Sequence, residues 1–100
     1  MNLTIVLMEN DNEMSKICDV MQSHPEGTEF CGCWGEIKFN DAQCIESISG
    51  AVNHFLEPED KDTVIFACHC NDIDRIEPHL QMQNCNVRKI SAESFFKSMP

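Results

Sequence analysis

The chain has 100 residues, 42% of them hydrophobic, with 17 Asp+Glu against 7 Lys+Arg and a formal net charge of −10. That length fits one domain, residues 1–100, and the apolar content is too high for a disordered chain of this charge. So acidic a chain repels nucleic acid and anionic membrane, no stretch reaches the ~20 apolar residues of a membrane helix, and Met1–Val6 lacks the basic start of a secretory signal. The expected location is therefore the reducing cytoplasm, where seven cysteines remain free thiols.

Leu3 to Met8 is a continuous apolar and β-branched run, the pattern of a strand buried on both faces. The polar stretch Glu9–Glu13 supplies a turn and a helix cap. Met14, Ile17, Cys18 and Met21 then fall at i, i+3, i+4 and i+7, one stripe of an amphipathic helix that His24-Pro25-Glu26-Gly27 stops. Thr28 to Phe39 reads as one strand bulged at Gly35, or as a hairpin turning at Trp34-Gly35. Asn40 and Gln43 form a capping pair for a helix through Cys44, Ile45, Ile48, Val52, Phe55 and Leu56, in which Gly50 would mark close packing.

Glu57–Asp62 is a charged loop, and Thr63 to Cys70 is a second strongly apolar strand, expected at the centre of the sheet. A helix through Ile73, Ile76 and Leu80 must kink or restart at Pro78. Asn86 to Ile90 is a short strand, and Ser91 caps a last helix carrying Phe95, Phe96 and Met99. The alternation specifies a small layered α/β domain with about four strands, the central ones parallel, and three to four helices. A hairpin over 28–39 would instead give an α+β, split βαββαβ (ferredoxin-like) arrangement with an added C-terminal strand and helix.

Soft, reactive side chains gather in two pairs, Cys31-Gly-Cys33 and Cys68-His69-Cys70. In a regular strand, residues i and i+2 share a face, so each pair would project together. Were the two strands neighbours, Cys31, Cys33, Cys68 and Cys70 could form a Cys₄ set for zinc, although i and i+2 stand ~6.6 Å apart and the tighter Cys-x₂-Cys spacing is absent. Cys18, Cys44 and Cys85 read as small core hydrophobes on helices. Trp34, Phe30 and Phe39 read as core, or as a contact patch if that segment is peripheral.

Cys70-Asn71-Asp72-Ile73-Asp74-Arg75 links a strand end to a helix start. Over about a dozen residues it resembles the active loop of rhodanese sulfurtransferases and their phosphatase relatives. That resemblance implies a nucleophilic Cys70 thiolate with Arg75 on the bound oxyanion, in a thiol-dependent enzyme. The loop has no glycine, however, and Asp72 and Asp74 would repel an anion. A fold-level similarity to phosphoacceptor receiver domains rests on Glu9 and Asp11 after the first strand, but no aspartate closes Thr63–Cys70 and Lys89 is only loosely placed. No histidine has the sequence-adjacent partners that would name a catalytic triad.

Charge is the stronger clue. Residues 1–77 carry sixteen of the seventeen acids against Lys16, Lys38, Lys61 and Arg75, with clusters at Glu9/Asp11/Glu13, Glu57/Glu59/Asp60/Asp62 and Asp72/Asp74/Glu77. If the first strand runs parallel to that from Thr63, the first and third clusters follow strand ends on one edge of the sheet. Glu9, Asp11, Glu13, Asp72, Asp74 and Glu77 are then the residues expected to engage a basic protein partner, as in an inhibitor, immunity or regulatory protein. This reading has no enzymatic activity and no cofactor; the rival is the thiol enzyme, or a metal protein holding zinc on the paired cysteines.

Overall fold

In a computed structural model, described over residues 1–23, 27–38, 42–57 and 62–98, four strands form one parallel sheet between two helical layers. The strands are β1 (Asn2–Met8), β2 (Thr28–Cys33), β3 (Thr63–His69) and β4 (Asn86–Ser91), in the spatial order β2-β3-β1-β4. The helices are α1 (Asn12–Met21), α2 (Ala42–Phe55), the single turn α3 (Ile73–Ile76) and α4 (Ala92–Ser98). A radius of gyration of 12.8 Å equals the ~13 Å of a globule this size, so these layers form one compact α/β unit.

The two apolar runs take the central positions because only there can both faces of a strand be covered. Leu3 and Ile5 of β1 join Val64, Phe66 and Cys68 of β3 under α2 and α3, while Val6, Met8, Ile65 and Ala67 lie under α1 and α4. β4 is a polar edge strand with Val87 39% exposed, and Arg88 and Lys89 put charge where a bare edge invites pairing with another chain.

The segment from Thr28 resolves as one strand, so the hairpin and the split α+β arrangement do not form. Its irregularity sits earlier than Gly35: the register with β3 slips between Phe30 and Gly32, leaving Cys31 as the extra residue of a bulge. Gly32 carries this with φ +154°, and a Cβ there would stand 3.0 Å from the Trp34 ring, which itself packs edge-on against Phe66. As the sequence requires, the helix after β3 stops and restarts at Pro78: α3 gives way to a 3₁₀ turn over Glu77–His79. Expectations at Pro25, Phe39, Asn40, Glu59, Asp60 and Met99 lie outside the described residues.

Gly50 differs from its expected role. Nothing lies within 4 Å of a Cβ built there, so no neighbour requires the glycine. Gly50→Ala should therefore raise the unfolding free energy by about 0.5–1 kcal/mol in urea titration. Gly32→Ala, with left-handed backbone and no room, should lower it by about 1–3 kcal/mol.

Candidate functional site

β1 and β3 run parallel side by side, Met8 opposite His69, yet the helices that follow them cover opposite faces of the sheet. In open α/β sheets such divergence marks the crevice at the carboxyl edge where sites fall. Here that edge is formed by Glu9–Glu13 after β1, Trp34–Lys38 after β2 and Cys70–Arg75 after β3.

His69 is the hub. The residue is 7% exposed, and Nδ1 accepts the Asn71 N–H at 3.1 Å, which assigns the ring proton to Nε2. Nε2 lies 3.1 Å from the Glu9 carbonyl oxygen and 3.3 Å from Glu36 Oε2. One imidazole thus joins all three strand-end loops. The Asn71 side-chain amide adds a second, longer link by donating to Glu36 Oε2 at 3.4 Å.

Asp72 is the second anchor, 1% exposed at the foot of the loop. Its Oδ2 accepts the Ile37 N–H at 2.8 Å and its Oδ1 pairs with the Arg75 guanidinium, which also donates to the Ile37 carbonyl at 3.5 Å. A buried carboxylate needs such partners. Asp72 therefore faces inward, and Arg75 is turned to it.

In this arrangement three amides of the loop that resembles rhodanese are already engaged within the protein. An oxyanion-binding loop aims its amides at the ligand. In this loop the amides of Cys70, Asn71 and Asp72 donate to the Met8 carbonyl at 2.8 Å, His69 Nδ1 at 3.1 Å and the His69 carbonyl at 2.9 Å. The Cys70 thiol is exposed, 3.9 Å from both His69 Nδ1 and Asn71 Oδ1. The Nδ1 lone pair is already engaged by an amide, so the imidazole cannot take the thiol proton without breaking that bond.

The four-thiol set does not assemble either. The bulge at Cys31 turns the pair to opposite faces: Cys31 packs with the core under α2 and α3, Cys33 with that under α1 and α4. Cys68 is buried while Cys70 lies past the end of its strand. Among the described residues no three His, Cys, Asp or Glu side chains converge as a metal would need. Phe30 and Trp34 separate across the sheet in the same way, so they form no single patch.

Of the carboxylates expected to bind, Glu9, Asp11 and Asp74 are exposed. Asp11 precedes α1 but makes no side-chain cap; Asn10 Oδ1 accepts the Asn12 N–H at 3.0 Å, and Glu13 reaches back to accept the Glu9 N–H at 2.7 Å and the Asn10 N–H at 3.4 Å. Glu77 turns away to β4 and pairs with Lys89 at 2.8 Å, a bond that raises the lysine pKa. Glu36, its side chain 45% exposed, and His69 are the residues that sequence reasoning missed. The signal for Glu36 was its position just after β2, which has meaning only once β2 is known to border β3.

Comparison of the chain with protein-family models, with curated proteins and with solved structures gave no match.

Two outcomes follow from the buried groups. Asp72→Ala should cost about 2–3 kcal/mol in urea unfolding, because the Ile37 amide loses its acceptor while the part-exposed arginine can turn to water. The Cys68 thiol is pushed from 9.0 up to about 12, chiefly by burial and then by Asp72, and Cys33 likewise by burial and then Cys18. The folded state thus keeps protons that the unfolded state loses, so this stability is complete below pH 9.0 and declines as pH rises toward about 12. For Cys68 the slope should approach about 1.4 kcal/mol per pH unit, and urea midpoints across that window should flatten in Cys68→Ala.

Proposed function

We propose that this protein is a non-enzymatic binding module whose carboxyl edge engages a basic protein partner, in the manner of an inhibitor, immunity or regulatory protein. The observation that carries this reading is the fate of the charges at the crevice. Four exposed carboxylates, Glu9, Asp11, Glu36 and Asp74, follow three neighbouring strands onto one edge. Against them stand Arg75, already matched to Asp72, the exposed Lys38, and Lys89, which pairs with Glu77 and also interacts with Asp74.

Individually such exposed charges contribute little, about 0.2–1 kcal/mol per ion pair. Grouped along one edge they add to one field, which attracts a cationic surface and speeds its capture. The His69 and Asp72 anchors hold the three loops in a fixed relative position, so a partner meets a preformed surface and loses less entropy on docking. Asp72 and Glu77, bound internally, belong to the scaffold in this reading, and Glu36 takes a place at the interface.

The test compares two variants with the same charge change. One carries Glu9→Gln, Asp11→Asn, Glu36→Gln and Asp74→Asn; the other carries Asp19→Asn, Glu29→Gln, Glu46→Gln and Glu57→Gln, exposed acids elsewhere. Association with an arginine- and lysine-rich probe peptide, followed by stopped flow at low salt, should slow about tenfold or more in the first and by less than about twofold in the second. The gap should close as salt rises and screening shortens to a few ångströms. Equal slowing in both variants would show that only net charge matters, and would end the reading.

A further inference from the structure

The thiol chemistry that fails to assemble at the crevice reappears, in a different form, on the opposite side of the sheet. Where β2 ends, the bulge at Cys31 delivers Cys33 to the face covered by α1. There the Cys33 Sγ stands 3.5 Å from the Sδ of Met8, the last residue of β1, and a side-chain hydrogen bond joins it to Cys18 of α1. Sulfur atoms from two other elements thus approach Cys33. The Asp11 carboxylate is near enough to act on the same thiol.

This is a mixed thiol–thioether set, and its chemistry is selective. Among the described residues no three His, Cys, Asp or Glu side chains converge as a zinc site needs. Two thiolates and a thioether are soft donors, which favour Cu(I) and its soft d¹⁰ analogues over hard cations. At a metal–sulfur distance of ~2.3 Å, three donors arranged trigonally stand ~4 Å apart. The Cys33–Met8 separation is within about 0.5 Å of that requirement, an adjustment that unbranched side chains such as methionine make readily. Access is also provided: Met8 is 1% exposed and forms the floor, while Cys18 is exposed and forms the mouth.

We propose that Met8, Cys18 and Cys33 form a binding site for a soft monovalent cation of the Cu(I) class. Binding breaks the two S–H bonds, forms two metal–thiolate bonds and one thioether bond, and releases two protons to solvent. Net charge at the site changes from neutral to −1, and no electron is transferred. Because binding displaces the two thiol protons, affinity should rise with pH.

The experiment is an anaerobic titration of the full chain with Cu(I) against a chromophoric Cu(I) chelator, repeated with Ag(I). One equivalent should bind ahead of any other and give thiolate-to-metal charge-transfer absorption. Cys18→Ser should weaken that equivalent at least a hundredfold, and since Cys18 is exposed the variant keeps the core intact. Met8→Leu, which conserves volume, should weaken it about tenfold. Cys44→Ser, Cys70→Ser and Cys85→Ser should leave it unchanged. A first equivalent unaffected by Cys18→Ser, or lost equally in Cys70→Ser, would overturn the assignment. The first bound equivalent should also raise the thermal midpoint of the wild-type chain and not that of Cys18→Ser; the same rise in both would likewise overturn it.

Discussion

The parallel pairing of β1 with β3 is the constraint from which the other features of this molecule follow. It joins the two most apolar segments of the chain and requires that both faces of both strands be covered. Two helical layers meet that requirement, and the helices after β1 and β3 go to opposite ones. The meeting of three loops at the carboxyl edge is the geometric result, because two neighbouring strands send their chains in different directions.

What the carboxyl edge presents is then decided by how its polar groups are satisfied. A buried histidine and a buried aspartate tie the three strand-end loops together. The Cys70, Asn71 and Asp72 amides donate inward, the Arg75 guanidinium is directed to Asp72, and the Nδ1 lone pair of His69 holds an amide. The same satisfaction leaves no buried side-chain nitrogen or oxygen unpaired among the described residues. An internally satisfied scaffold with carboxylates on its rim is the feature on which the binding proposal rests.

The bulge in β2 separates the two faces of the molecule chemically. A regular strand would have kept Cys31 and Cys33 together; one extra residue sends the first beneath α2 and the second to Met8 and Cys18. The acidic edge and the sulfur cluster both depend on where β2 ends, since Glu36 belongs to the segment that follows it. They use different chemistry, and each can be disturbed without the other.

Local pattern determined most of the fold on its own. Two-sided apolar runs marked the central strands, helical spacing placed Ile17, Met21, Ile45, Ile48 and Val52 against the core, and Pro78 broke its helix because it lacks an amide hydrogen. Such signals are carried by residues near one another in the chain, so they can be read without knowing the fold. The site was legible only in part. Glu9, Asp11 and Asp74 could be placed because they follow strand ends, but the inward turn of Asp72, the pairing of Glu77 with Lys89 and the exposure of Cys18 could not. Each of those depends on a partner distant in sequence: Ile37 for Asp72, a residue on β4 for Glu77, the end of β2 for Cys18. Strand order and a one-residue slip in register determine those meetings, and they arise from the balance of packing over the whole sheet, which no local stretch of sequence encodes.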